Sequence, residues 1–143
     1  MNADYRDRNV VVLGSGLTGR SLARWLGRRG ARVRIADTRD APPDAARVAA
    51  ELPGVALETG GISAATLAGA DLIAISPGVS RDLPPIREAV ARGVDLAGDI
   101  EIFARAISPQ QKVLAVTGTN GKTTTTALTG ALTQAAGLST RVA

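Results

Sequence analysis

The 143-residue sequence contains no cysteine and no histidine. Without cysteine there is neither a disulfide framework nor a thiolate metal site. Without histidine the chain lacks the commonest general base and metal ligand. Aromatic residues are 2% of the chain, namely Tyr5, Trp25 and Phe103. Stacking platforms for single-stranded nucleic acid are therefore missing, and a nucleic acid partner is not expected. Lysine is scarce as well: Lys112 and Lys122 stand alone among arginines. The net charge of +4 is scattered and interrupted by acids, which suits an anionic nucleotide better than a polyanion. No stretch approaches the ~20 continuous apolar residues of a membrane span. The N-terminus has no signal-type apolar core, so the expectation is a cytoplasmic protein without membrane insertion.

What is abundant is small and aliphatic. Hydrophobic residues make up 45% of the chain, and a core of Ala, Val, Leu and Ile suits helices packed on a parallel sheet. The pattern centres on Val113-Leu114-Ala115-Val116-Thr117-Gly118-Thr119-Asn120-Gly121-Lys122-Thr123-Thr124. Its apolar start reads as a buried parallel strand. A glycine loop follows, then a helix over 125–136 that Gly137 would end. Strand, glycine loop, lysine, hydroxyl and helix is the order of a phosphate-binding P-loop. Gly118 and Gly121 would let backbone N–H groups approach phosphate oxygens, with the helix dipole behind them. Lys122 would supply a mobile charge and Thr123 a hydroxyl for Mg²⁺. The spacing is shorter than the usual motif, because Val116 stands where its first glycine would be. The plain alternative is a turn before an ordinary helix.

Taken from its start, the chain alternates strand and helix. A strand over 9–13 runs into Gly14-Ser15-Gly16-Leu17-Thr18-Gly19, a G-x-G-x-x-G turn. A helix over 20–29 and a strand over 32–36 follow, and Asp37 stands where an acid meets a ribose in dinucleotide-binding βαβ units. On the motif alone NAD or FAD is the natural ligand; the alternative is a glycine turn that serves packing only. Further on, helix 44–51, strand 55–58, a short helix from a Ser63 cap through Leu67 and strand 71–75 are expected. Ser76-Pro77-Gly78 makes a loop at that strand's carboxyl end. Helix 85–92, strand 94–97 and a helix capped by Asp99 and ending near Ala106 lead to the P-loop segment. The fold class is α/β: a Rossmann-like parallel-sheet domain over 1–97, then over 98–143 the start of a P-loop ATPase α/β domain.

Thr117-Gly118-Thr119-Asn120-Gly121-Lys122-Thr123-Thr124 resembles the ATP-binding loop of the Mur ligase family, which also includes folylpolyglutamate synthases. Gly14 to Gly19, Asp37-Thr38-Arg39, Ser76-Pro77-Gly78 and Gly98-Asp99-Ile100-Glu101 extend the resemblance over essentially the whole chain, towards the glutamate-adding branch. The resemblance changes the meaning of the first loop, since in these ligases the dinucleotide-like domain holds the UDP part of a muramoyl substrate. It implies that Ser15, Gly16, Leu17 and Thr18 contact the nucleotide. Asp37, Thr38 and Arg39 would border the uracil, and Ser76, Pro77 and Gly78 would close the other side. Gly118, Thr119, Asn120, Gly121, Lys122, Thr123 and Thr124 would bind ATP, with Lys122 on phosphate and Thr123 towards Mg²⁺.

The implied activity is ATP-dependent ligation of D-glutamate to UDP-N-acetylmuramoyl-L-alanine through an acyl-phosphate, in peptidoglycan precursor synthesis. Lys122 and Thr123 would be the catalytic residues this chain contributes. The family's further metal ligands and its D-glutamate-binding domain are not recognisable here. The expectation is therefore an N-terminal portion that is inactive alone, of an enzyme that is monomeric when whole; the segment from 98 on is expected either to be mobile or to pair with another copy of itself. The competing readings are another Mur-type ligase, an NAD-dependent oxidoreductase using the first loop, and a nucleotide-binding module that is not an enzyme.

Overall fold

The computed structural model describes residues 4–142. Its contacts divide the chain into two compact units, Met1–Ser108 and Pro109–Ala143.

The first unit is built on a parallel sheet. β1 (Asn9–Leu13), β2 (Arg32–Ala36), β3 (Ala56–Glu58), β4 (Leu72–Ile75) and β5 (Asp95–Gly98) lie in the order β3-β2-β1-β4-β5. Every pairing is parallel, with Val10 opposite Val33 on one side and Leu72 on the other. Successive side chains of a strand point to opposite faces, and the core divides accordingly. Val10 and Val12 join a cluster with Leu22, Leu26, Val48 and Ile102. Those partners come from α1 (Leu17–Gly27), α2 (Ala45–Glu51) and α4 (Asp99–Ala106). Val11 and Leu13 join Ile73, Ile75, Ile86 and Ala89 on the other face, where α3 (Pro84–Ala91) lies. Two apolar faces explain why the central strands read as unbroken hydrophobic runs instead of alternating ones. The Rossmann-like expectation for this region holds, strand for strand.

Several local expectations need correction. The segment over 64–69 forms turns and no helix. Ser63 does act as expected of a cap, accepting from the Thr66 amide while Thr66 Oγ1 accepts from the Ser63 amide. A stretch this short fixes too much backbone for the bonds it would gain, so the exchange with Thr66 ends as turns. α1 begins at Leu17, three residues before the expected start, because the glycine turn closes directly into the helix. At α4 the N-cap is Gly98, and Asp99 is the first helical residue. Contacts group α4 with the first unit, since Ile102 is buried in its core and Arg105 pairs with Asp95 of β5.

Among the described residues the second unit contains one helix, α5 (Lys122–Ala135). The expected strand over Val113–Val116 is absent: residues 111–118 have no strand structure, and Val113 and Leu114 are 53% and 68% exposed. A parallel strand satisfies its backbone groups only through neighbours, and among the described residues no segment pairs with this one. The start of a P-loop sheet is therefore not seen; what the structure shows here is a helix with Gly121 as its N-cap. Gly137, with φ 79°, ends the helix where expected. Thr133 Oγ1 bonds back to the carbonyls of Thr129 and Gly130 and receives a bond from Thr140, which ties the chain beyond the helix to its last turns.

Candidate functional site

Strand order alone places a crevice. The connection leaving β1 runs towards β2 and the connection leaving β4 runs the other way, towards β5, so the sheet's switch point lies between these two strands. Ligands of open α/β sheets sit outside the carboxyl ends of the strands at such a point. Residues 14–19 follow β1, 37–39 follow β2 and 76–78 follow β4. The first-loop residues singled out from the sequence therefore share one edge of the sheet.

The glycines of the first loop divide the work. A Cβ on Gly19 would run into the Gly14 carbonyl, so Gly19 permits the close packing of α1 on β1. A Cβ on Gly16 would meet nothing within 4 Å. The loop is thus packed from below at Gly19 and open above at Gly16, as close approach of a phosphate group requires. Gly16 is the N-cap of α1, no side chain caps the helix, and its first turn holds no acid. The first amides and the positive end of the dipole are left for an anion. Leu17 is exposed at the rim and Thr18 is half-buried. Below the loop lies the Ser76 hydroxyl, buried and without a hydrogen-bond partner. A Cβ on Gly14 would come within 3.1 Å of it. Pro77 and Gly78 are exposed beside it.

Ser15 and Asp37 are buried, and they are bonded to each other. Asp37 Oδ2 accepts from the Ser15 amide at 2.9 Å, the Ser15 hydroxyl at 2.6 Å and Arg39 Nη2 at 2.8 Å. Its Oδ1 accepts from the Arg39 amide at 3.1 Å and Arg39 Nε at 2.8 Å. The Arg39 guanidinium holds the Asp37 carboxyl far below the usual carboxylate range; burial opposes this, and the bonds from Ser15 and the Arg39 amide add to it. Arg39 itself is half exposed, and Thr38 is exposed beside it. The Ser15 carbonyl is taken by Arg20 Nη1 at 3.3 Å.

Arg20 is the residue that sequence reasoning missed. Its side chain is buried under the loop and pairs with Asp44 at 2.7 Å and Glu51 at 3.4 Å. In this way α2 braces the glycine turn. The signal was present: Arg20 stands three residues before Ala23, on the core-facing stripe of α1. A charge on such a stripe needs buried partners.

In the second unit Gly121 adopts φ 75° as N-cap of α5, a left-handed conformation that suits glycine. No side chain caps this helix either, and no acid lies in its first turn. Lys122 Nζ donates to the carbonyls of Gly118 at 2.6 Å and Thr119 at 3.3 Å. The ammonium is thereby held over the loop, and Thr119, Asn120, Thr123 and Thr124 are exposed around it. Free helix amides, a lysine ammonium and a threonine hydroxyl fit a nucleotide polyphosphate with its magnesium ion. Among the described residues no group of three or more His, Cys, Asp or Glu is placed to hold a metal. No helix among them is long and apolar enough to cross a membrane.

The family model for the Mur ligase MurD-like N-terminal domain matches residues 8–98. The chain belongs to the MurD-like Mur ligases. Curated relatives agree with that placement in the family. This Mur ligase chain is 50% identical to UDP-N-acetylmuramoylalanine–D-glutamate ligase of Thiobacillus denitrificans, over 95% of its own length and 31% of the relative's. It is 48% identical to the ligase of the same name from Methylobacillus flagellatus, over 96% of its length and 30% of the relative's. Among solved structures, a pseudomurein peptide ligase type C from Methanothermus fervidus superposes with a TM-score of 0.57 at 29% identity, covering 92% of this chain and 27% of that one. The Mur ligase chain thus spans about a third of the length of the curated relatives it matches.

Proposed function

We propose that this chain carries the UDP-binding domain and the ATP-binding loop of a ligase that adds D-glutamate to UDP-N-acetylmuramoyl-L-alanine. The observation that carries the reading is the first loop. An uncapped helix N-terminus lies open above Gly16 at the switch point of the sheet, over the unpartnered Ser76 hydroxyl. In this reading the diphosphate lies on the amides of Gly16, Leu17 and Thr18. The uracil lies between the segments 37–39 and 76–78.

ATP supplies the phosphoryl group that activates the alanine carboxylate as an acyl-phosphate, which the D-glutamate amine then displaces. Two anions must approach one another for that transfer. Lys122 neutralises phosphate charge, and the free amides at the start of α5 hold the phosphates in position. Thr123 would offer its hydroxyl to the Mg²⁺ that accompanies ATP. Positioning is most of the catalysis in phosphoryl transfer. The D-glutamate site and the remaining metal ligands therefore have to come from residues other than these.

Calorimetric titration with UDP-N-acetylmuramoyl-L-alanine checks the reading. The expected result is binding that Gly16→Val abolishes and Lys122→Ala leaves intact, with no sustained phosphate release from ATP–Mg²⁺ by this chain alone. Absence of substrate binding, or tighter binding of NADH than of substrate, overturns it.

A further inference from the structure

An acid at the tip of the second strand of a dinucleotide-binding βαβ unit accepts hydrogen bonds from ribose hydroxyls. Asp37 stands at that position and is not available for the task. A carboxylate offers about four lone-pair sites. Here five donors occupy them: the Ser15 amide and hydroxyl, and the amide, Nε and Nη2 of Arg39. The side chain is 2% exposed. A ribose diol reaching this edge meets the Arg39 guanidinium, which has donors and no acceptor.

We infer that Arg39 is a specificity-determining residue that closes the ribose-acceptor position by saturating Asp37, so that a loop of dinucleotide type refuses adenine dinucleotides. The inference deepens the uridine reading above and rests on it for the natural ligand. Asp37 is in this account a positioning residue. Held by Ser15 on the glycine loop, it fixes the Arg39 guanidinium in one plane at the rim of the crevice. The bidentate geometry, with Nε on one oxygen and Nη2 on the other, sets the plane of the guanidinium. Two features of the dinucleotide site are otherwise intact, namely the open space at Gly16 and the close packing at Gly19. The acceptor is the part that is missing, and the Arg39 guanidinium takes one site on each oxygen. Without it Oδ2 would keep both Ser15 donors and Oδ1 would keep only the backbone amide of residue 39, which leaves an acceptor site open on Oδ1.

The test is a gain of binding, which a merely structural role would not produce. The chain is titrated with ADP-ribose and, separately, with UDP, unsubstituted and as Arg39→Ala and Arg39→Met. Arg39 is half exposed and lies outside the core, and the methionine variant keeps an aliphatic stem in place. The unsubstituted chain is expected to bind UDP and to ignore ADP-ribose. Both variants should acquire ADP-ribose binding, at least tenfold tighter than any residual binding by the unsubstituted chain, and should lose UDP affinity by about tenfold. If neither variant gains ADP-ribose while both remain folded by thermal melting, the inference is wrong. If the unsubstituted chain binds ADP-ribose as well as the variants do, it is also wrong. Failure of the unsubstituted chain to bind UDP overturns the uridine reading instead, and the gain of ADP-ribose still decides the role of Arg39.

Discussion

Two segments of this chain begin almost alike and end differently. Asn9-Val10-Val11-Val12-Leu13 leads into a glycine loop and a helix, and so does Val113-Leu114-Ala115-Val116. The first is a central strand with every one of its last four residues buried; the second has no strand structure, and its first three residues are exposed. Composition does not separate them. What separates them is company: β1 has β2 on one side and β4 on the other, whereas among the described residues nothing pairs with 113–116. An apolar run states a demand for burial and for hydrogen-bonding neighbours, and it becomes a strand only where both are met. Loops and helices are less dependent on neighbours. The glycine loop and α5 of the second unit form without a sheet, since a helix closes its bonds within itself.

The comparison is tested most severely by cutting equivalent leucines. Leu26 is fully buried on α1, while Leu132 on α5 is 63% exposed. Leu26→Ala should cost about 3–4 kcal/mol in denaturant unfolding. Leu132→Ala should stay within about 0.5 kcal/mol. Similar losses at the two positions would mean that α5 is packed in solution and that the contrast between the units is false.

A smaller effect separates two glycines of the same loop. Gly19→Ala forces a Cβ onto the Gly14 carbonyl, and an expected loss of about 2–3 kcal/mol follows from overpacking against backbone. Gly16→Ala meets open space at an ordinary φ of −66° and should leave stability within about 0.5 kcal/mol. Equal melting temperatures for the two variants would show that the loop is not packed as described.

The smallest effect concerns pH. Asp37 has a depressed carboxyl pKa in the folded chain, caused first by Arg39. Its contribution is therefore fully present above the unfolded value of about 3.9 and is lost as pH falls through the folded value. Asp37→Asn should destabilise the first unit by about 1–2 kcal/mol at neutral pH, in the range of hydrogen bonds to a charged group. The difference should begin to shrink below about pH 4. A difference that stayed constant down to pH 2 would remove Asp37 as the source. The second unit, whose titratable groups are exposed, should show no matching change in helix content.

The alternation of strands and helices was legible because a doubly covered parallel sheet needs apolar strands and short glycine-ended connections. Gly14 to Gly19, Asp37 and Ser76 could be placed at one edge of the sheet for the same reason, since each follows a strand at its carboxyl end. Which atoms remain free at that edge was not legible. The bonds from Ser15 and Arg39 that saturate Asp37, and the Arg20 brace to Asp44 and Glu51, join residues up to 31 positions apart. The sequence alone determined the periodicities, the turns and the order of the loops, because those depend on neighbours along the chain. Tertiary structure alone decided that 9–13 is a strand while 113–116 is not, and that Ser15 reaches the acid placed to receive a ribose. Both outcomes depend on which partners reach a group in space.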